Sequence, residues 1–256
     1  MGTFNSPKEI TDIWIGNGVN KANLPVHKMI LLGMAAGCYI GLGAHAFINT
    51  TAAGGDIAFN AMVAKLLGAA LFPVGLMLVV LCGAELFTGN NLLTLALFDK
   101  KISVGQMLKN WIFVYIGNLI GSVLLAFLLA KSGLYADAVG AKAMAIATSK
   151  TSMPFGAALI RGIFCNMLVV LACWFAAGAK EMIGKIFAIW FPIMLFVFAG
   201  FEHSVANMTY IPLGIFCGAD VTWAQFFLNN LLPVTIGNLI GGAILIPGLY
   251  YISYKK

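Results

Sequence analysis

Six long apolar runs that contain no charged side chain set the strongest limit on how this chain can fold. A helix of ~20 apolar residues crosses the hydrocarbon core of a bilayer, and these runs do not alternate as the strands of a membrane barrel do. Only 9% of residues are charged, against ~25% in soluble domains. The sequence therefore predicts an all-α integral membrane protein with six transmembrane helices. The runs cover residues 29–55, 66–84, 110–130, 162–179, 186–201 and 221–254.

A short leading segment, residues 1–25, precedes the membrane domain of residues 26–256. The segment mixes polar and apolar residues. Ile10, Ile13 and Trp14 can share one helix face, which predicts a short amphipathic helix over residues 6–20 at the membrane surface.

Lysine placement predicts the orientation of the chain. With six spans and the N-terminus inside, ten lysines fall inside and four outside, which fits the positive-inside rule. Both termini are therefore expected to be cytoplasmic, in the inner membrane of a cell. The outside lysines are Lys65, Lys131, Lys142 and Lys150.

The sequence gives no sign of a cofactor, a metal site or a nucleic-acid site. The five cysteines are odd in number and lack the C-x-x-C spacing of zinc sites, so they are expected to be packing residues. No basic stretch is interleaved with aromatic residues, so no nucleic-acid partner is expected.

Two polar motifs interrupt the apolar sequence in the second and fifth spans. CGAELFTGN covers residues 82–90, and AGFEHSVAN covers residues 199–207, an offset of 117. Helix propensity is poor within the first motif, and non-helical backbone at membrane depth must be buried or line a cavity. Both helices are therefore predicted to be broken.

A second repeated motif indicates an internal duplication. IGNLIG occurs at residues 116–121 and again at residues 236–241, an offset of 120. The predicted halves cover residues 26–130 and 155–252. Because each half has three spans, an odd number, the halves enter the membrane from opposite sides, and the pathway of such an inverted repeat lies at its interface.

Four residues of the two breaks match between the halves: Glu85, Glu202, Asn90 and Asn207. Ionisable residues in hydrocarbon are costly and suggest function. Since these residues are duplicated, however, they are expected to be scaffold groups that satisfy backbone N–H groups freed by the breaks.

The unmatched positions are expected to face the pathway. His203 corresponds to Leu86, and Thr88 corresponds to Val205. An imidazole donates a hydrogen bond when neutral and attracts anions when protonated, and Thr88 adds a hydroxyl donor. Proton transfer from His203 to a weak-acid anion would let the anion cross as the neutral acid, which avoids a bare charge in hydrocarbon. The sequence predicts a channel or transporter for small monovalent anions.

Three motifs resemble those of the formate/nitrite transporter family of pentameric membrane channels. They are GAELFT (83–88), GFEHSVANM (200–208) and LPVTIGNLIG (232–241). The resemblance implies an aquaporin-like protomer, a homopentamer in the lipid bilayer, and transport of formate, nitrite or hydrosulfide, with a proton as a further candidate partner.

The resemblance also implies roles for single residues. His203 would be the central gate and Thr88 its partner, while Lys150 would be the vestibule lysine that attracts anions. Asn166 and Asn238 would be polar pathway residues. The constrictions would be formed by Phe72, Leu76, Leu86, Phe87, Val169 and Phe196.

Other classes of function fit the sequence less well. A neutral-solute channel of the aquaporin type is the main alternative, but the chain has no Asn-Pro dipeptide. An intramembrane enzyme using Glu202 and His203 would need a nucleophile or metal-ligand spacing, so no enzyme is expected. A purely structural role leaves the duplicated carboxylates unexplained. The preferred anion and the choice between passive and proton-coupled transport stay open.

Overall fold

The computed structural model describes residues 4–52 and 60–255, and these residues are helical almost throughout. Six helical spans there are long and apolar enough to cross a membrane, which confirms the predicted architecture. The spans are α2 (Val26–Ala52), α3 with α4 (Ala61–Leu71 and Val74–Cys82), α6 (Val104–Lys131), α8 (Phe155–Gly178), α9 (Met182–Ala199) and α11 (Trp223–Lys255). The sequence also predicts a short polar loop over residues 50–59. The α2 helix continues to Ala52, and residues 53–59 lie outside the described part of the chain.

The second and fifth spans are broken, as predicted. The α4 helix ends at Gly83, whose φ is 80°, and a 3₁₀ turn (Gly89–Leu93) then leads into α5 (Thr94–Phe98). The α9 helix ends at Gly200, whose φ is 78°, and α10 (Ser204–Phe216) follows. Glycine adopts this left-handed conformation without a steric penalty, so the same residue ends the first half-helix in both repeats.

Two packing helices lie outside the six spans. The α1 helix (Pro7–Ala22) starts with a capping box formed by Ser6 and Glu9, a device that satisfies free N–H groups. Ile10 and Trp14 are buried against the rest of the chain, so the apolar face of this predicted amphipathic helix is covered by protein. The α7 helix (Asp137–Thr151) lies between the two predicted halves, where no helix was predicted, and it packs against α10.

Within each half, the first and third spans approach each other closely through a pair of glycines at equivalent positions. A Cβ atom on Gly33 of α2 would lie 3.1 Å from the Cα atom of Gly117 in α6, and one on Gly162 of α8 would lie 3.2 Å from the Cα atom of Gly237 in α11. Small residues allow membrane helices to approach this closely. Both copies of the IGNLIG motif therefore pack through the same glycine.

The halves differ in their last span. While α6 is a regular α-helix, α11 contains two π-helical segments, Phe226–Leu231 and Ile240–Leu245. Such segments are rare and are frequently found at functional sites. Each carries one residue of the site described below, Asn230 and Gly242 respectively.

Candidate functional site

Two open cavities approach each other from opposite ends of the second span. The Lys21 vestibule has a volume of ≈ 540 Å³ and lies beneath α1. The Lys150 vestibule has a volume of ≈ 330 Å³ and lies between α7 and the end of α9. A central cavity of only ≈ 10 Å³ lies between them, which is room for about one water molecule.

The central cavity has an apolar wall with a single polar side chain. It shares Leu76 and Leu86 with the Lys21 vestibule, and Phe72, Phe196 and His203 with the Lys150 vestibule. Each pair of shared apolar residues marks one constriction, and the rings of Phe72 and Phe196 meet edge to face with centroids 5.6 Å apart.

Val169 completes the set of predicted residues that lie at the central cavity, and two further wall residues, Ile40 and Ile193, were not predicted. Ile193 follows Leu76 by 117 positions, so the offset of the two breaks would have identified it. Ile40 precedes Val169 by 129 positions, as Gly33 precedes Gly162, an offset that neither repeated motif reveals.

Phe87 lies elsewhere, contrary to the prediction that it forms a constriction. Its ring packs edge to face against Trp111 and Tyr115, with centroid distances of 6.2 and 4.8 Å, and it lines a separate lateral groove. The backbone turns at this point, since the Asn90 N–H donates to the Leu86 carbonyl at 2.8 Å. Within the turn, Leu86 faces the central cavity and Phe87 faces the lateral groove.

His203 and Thr88 join the two breaks across the repeat interface. The His203 Nε2 atom lies 2.8 Å from the Thr88 Oγ1 atom, and both side chains are buried. The Ala206 backbone N–H donates to His203 Nδ1 at 3.1 Å. Nδ1 must therefore accept, so the proton of the neutral ring lies on Nε2, which donates to Thr88. The Thr88 hydroxyl keeps its own hydrogen for another acceptor.

His203 is also the N-cap residue of α10. The N-terminus of a helix carries free N–H groups and a partial positive charge. Because His203 lines the central cavity, the start of α10 adds favourable potential for an anion in this part of the pathway.

Asn238 fixes the second break through three hydrogen bonds to backbone. Its Oδ1 accepts from the Ser204 N–H at 2.9 Å, and its Nδ2 donates to the Gly162 carbonyl at 2.9 Å and the Glu202 carbonyl at 3.0 Å. The prediction that Asn238 lines the pathway is therefore wrong, because its amide is occupied by the loop.

Asn118 forms the same clamp in the first half. Its Oδ1 accepts from the Phe87 N–H at 2.9 Å, and its Nδ2 donates to the Gly33 carbonyl at 2.8 Å and the Glu85 carbonyl at 2.9 Å. These two asparagines, rather than the glutamates, satisfy loop N–H groups freed by the breaks. Both belong to the repeated IGNLIG motif.

The glutamates bind lysine and asparagine side chains instead. Glu85 pairs with Lys21 of α1 at 2.5 Å and accepts from Asn90 at 2.7 Å. Asn90 also donates to Asn110 Oδ1, and Asn110 donates to the Lys21 carbonyl. The duplicated residues are thus a scaffold, but one of side chains that holds α1 against the first break.

The second half repeats this cluster around Glu202. Lys150 of α7 pairs with Glu202 at 2.7 Å, and Asn207 donates to Glu202 at 2.7 Å. Asn207 also donates to Asn230 Oδ1, and Asn230 donates to the Lys150 carbonyl. Lys150 is among the residues that line its vestibule, and α7 holds the position in this half that α1 holds in the other.

Asn166 forms a hydrogen bond with the backbone carbonyl of Thr88 and in this way braces the gate residue. It is not among the residues that line the central cavity. Its Nδ2 lies 2.7 Å from Asn91 Oδ1, 2.8 Å from the Asn238 carbonyl and 3.4 Å from the Thr88 carbonyl. The prediction of a pathway-lining residue is corrected accordingly. Its side chain occupies space left by Gly242, since a Cβ atom there would lie 2.0 Å from Nδ2.

Among the described residues, both vestibules carry more positive than negative side chains. Each then holds one glutamate, which is already paired with Lys21 or Lys150. Walls lined by one sign of charge concentrate oppositely charged solutes, so each mouth favours anions. The further cations are Lys180 and Lys185 in the Lys21 vestibule, and Lys65, Lys142 and Arg161 in the Lys150 vestibule.

Known proteins resemble this chain along its whole length. A sequence model of a family described as formate/nitrite transporter matches residues 8–252. The probable formate transporter of Methanothermobacter thermautotrophicus is 42% identical over 100% of both chains. An FNT family ion channel of known structure has a TM-score of 0.86 at 32% identity, covering 96% of this chain and 98% of its own. A pentameric formate channel with formate bound has a TM-score of 0.79 at 34% identity, covering 90% and 98%.

Proposed function

This chain belongs to the formate/nitrite transporter family, and on that premise we propose that it moves small monovalent anions, or the weak acids they form, through the pathway between its two vestibules. Formate is the first substrate to test, because related proteins are named for formate, and nitrite and hydrosulfide follow. The observation that carries this proposal is the contact between His203 and Thr88 at the apolar centre of the pathway.

The anion first enters a vestibule. The positive side chains of either mouth raise its local concentration without binding it tightly. Lys21 and Lys150 are each paired with a glutamate. Their positive charge is therefore partly neutralised, so each lysine attracts an anion without binding it tightly.

At the central cavity the anion meets hydrogen-bond donors in an apolar wall. His203 is the polar side chain that lines this cavity. Its Nε2–H donates to Thr88 in the structure, and it is proposed to donate to the oxygen or sulfur atom of the substrate in turn, while the Thr88 hydroxyl donates from behind the ring. A bare charge in an apolar space of this size is costly, so we assign the crossing to the neutral acid, which forms when the anion takes up a proton from vestibule water. His203 serves as the gate in its neutral form. If Nδ1 were protonated, its N–H would face the Ala206 N–H, and the hydrogen bond between Ala206 and the ring would be lost.

The protomer is proposed to work in a homopentamer within a lipid bilayer, since one solved relative is a pentameric formate channel. We place it in the inner membrane with both termini cytoplasmic, on the strength of its lysine distribution. We also propose two functional halves, in which α1 joins the spans of residues 26–130 and α7 joins those of residues 155–252. The site is proposed to carry transport and no enzymatic reaction.

Flux into liposomes tests this function. Formate, nitrite and hydrosulfide uptake would be measured at several pH values for the parent, for His203→Asn, and for His27→Asn, an exposed histidine outside the pathway. We expect formate uptake to rise as pH falls in the parent and the His27 variant, and to change in rate and pH dependence in His203→Asn. If His203→Asn matches the parent in both respects, the proposed gate is wrong; if none of the three anions crosses, the proposed substrate class is wrong.

A further inference from the structure

A lateral groove between α6 and α11 is not used by the proposed pathway. Its first part has a volume of ≈ 460 Å³ and is lined by Phe87, Trp111, Tyr115 and Leu232 among others. A second part of ≈ 510 Å³ continues along α6 and shares Phe227 with the first. The groove therefore follows the two helices over much of their length.

The polar groups in the first part of the groove are already paired. The Tyr115 hydroxyl lies 2.7 Å from Thr235 Oγ1, and the Trp111 Nε1–H donates to the Asn90 carbonyl at 3.0 Å. One hydroxyl hydrogen of the Tyr115 and Thr235 pair stays free, and the other described lining residues are apolar or already hydrogen-bonded. A ligand of this groove is therefore apolar over most of its contact with the walls.

The depth of the groove restricts what can fill it. Tyr115 and Thr235 lie near the middle of two helices that are long and apolar enough to span a membrane. The middle of such a span lies in the hydrocarbon core, where the surrounding medium consists of acyl chains. A flexible acyl chain can follow a long narrow groove of this kind.

Lysines lie near both ends of the groove. At the end of α6, the Lys131 Nζ atom lies 6.0 Å from the ring centroid of Phe127, which lines the second part, and two lysines lie in sequence beside the end at the start of α6. Leu108 lines the groove near the start of α6, Lys109 follows it in sequence, and Lys101 lies just before the helix. Within residues 4–52 and 60–255, no carboxylate lies within ion-pair distance of either lysine. Lysines at the end of a membrane span attract anionic lipid headgroups.

We propose that this groove binds an anionic phospholipid of the surrounding bilayer. One acyl chain lies between α6 and α11 on the rings of Phe87 and Trp111, and the phosphate group lies at Lys101 and Lys109. Phe87 connects this site to the pathway, because it lies between Leu86 of the central cavity and Thr88 of the gate. The bound acyl chain packs against Phe87 and thereby stabilises the first break on the side that faces the bilayer.

Fluorescence quenching of Trp111 tests the proposal. The full chain would be reconstituted in phosphatidylcholine vesicles with increasing fractions of phosphatidylglycerol that carries brominated acyl chains, or of brominated phosphatidylcholine. The signal of Trp111 is the difference between the parent and Trp111→Phe. We expect half-maximal quenching at a lower mole fraction of the brominated phosphatidylglycerol, by about fivefold for each contributing lysine.

Two charge variants identify the headgroup site. Lys101→Gln with Lys109→Gln should remove the preference for phosphatidylglycerol, while Lys8→Gln, an exposed lysine at the start of α1 that does not line the groove, should keep it. Equal quenching by the two lipids in the parent would overturn the proposal. Absence of quenching by either lipid would also overturn it, since another copy of the chain would then cover the groove. Size-exclusion profiles would confirm that the variants assemble as the parent does.

Discussion

His203 and Thr88 lie in different halves of the repeat, yet their side chains meet with 2.8 Å between Nε2 and Oγ1. Their counterparts, Leu86 and Val205, are apolar. The polar contact therefore exists once, although the breaks that position it are duplicated. Because the His203 ring receives the Ala206 N–H on its other nitrogen, the direction of the hydrogen bond is fixed toward Thr88.

Replacement of Thr88 by valine tests the hydroxyl with little change in shape. We expect Thr88→Val to lower formate flux about two- to tenfold, because a hydrogen bond between neutral groups contributes ~0.5–1.5 kcal/mol. Thr88→Ser, which keeps the hydroxyl, should retain most of the flux. Stopped-flow uptake into liposomes measures both, and equal rates for the valine and serine variants would contradict a donor role.

Loss of one asparagine clamp should destabilise the fold. Asn118→Ala leaves a buried N–H and two carbonyls without their partner, at a cost of ~1–3 kcal/mol for each unsatisfied group. Thermal unfolding in detergent would show a clearly lower Tm than that of the parent. Asn229→Ala, an exposed position, serves as the control, and a similar small shift for both variants would argue against the clamp.

The buried ion pair of Lys150 and Glu202 should behave as a unit. Lys150→Met leaves an uncompensated carboxylate and is expected to destabilise the protein by ~3–5 kcal/mol. Addition of Glu202→Gln should restore part of that loss. A double-mutant cycle from unfolding measurements gives the coupling. Strictly additive effects of the two changes would show that the pair does not act together.

A side chain at Gly242 should disturb the brace behind Thr88. A Cβ atom there would lie 2.0 Å from Asn166 Nδ2, so Gly242→Ala should reduce both stability and formate flux. Gly248→Ala is the matched control in the same helix, since nothing lies within 4 Å of its added Cβ atom.

The double variant Asn166→Gly with Gly242→Ser copies the arrangement of Gly37 and Ser122 in the first half. We expect it to regain the stability lost in Gly242→Ala while flux stays low, because Thr88 loses its brace. Full recovery of flux would contradict a positioning role for Asn166.

Shortening Leu76 should widen the constriction on the side of the Lys21 vestibule. Leu76 lines both that vestibule and the central cavity, whereas Val80 lines only the vestibule. We expect Leu76→Ala to raise the ratio of acetate to formate flux about tenfold, the usual order for one methyl group in an apolar site. Val80→Ala should leave the ratio unchanged, and parallel changes in the two variants would place the constriction elsewhere.

Much of the fold follows from the sequence because hydrocarbon leaves few choices. The apolar runs locate the six spans, and the matched motifs around Glu85 and Glu202 locate both breaks. The α7 helix was missed because it is neither strongly apolar nor regularly amphipathic. Its many alanines, which favour helix, were the available signal.

The site was harder to predict, because side-chain direction in a non-helical loop depends on the surrounding packing. Composition alone does not reveal that the Phe87 ring faces away from the pathway. It also does not reveal that the Asn238 side-chain amide forms its hydrogen bonds with backbone groups. Asn110 and Asn230 could have been found, since they lie 120 positions apart, as do the two copies of IGNLIG.

The equivalence of α1 and α7 also makes the protein sensitive to processing of its end. Lys150 is flanked by spans on both sides, whereas Lys21 lies on a leading helix that a protease can remove in one cut. A chain trimmed to residue 26 would keep every span but leave the buried Glu85 carboxylate without its cation. An uncompensated buried charge of this kind is strongly destabilising. The stability of the membrane domain therefore depends on the presence of the α1 helix.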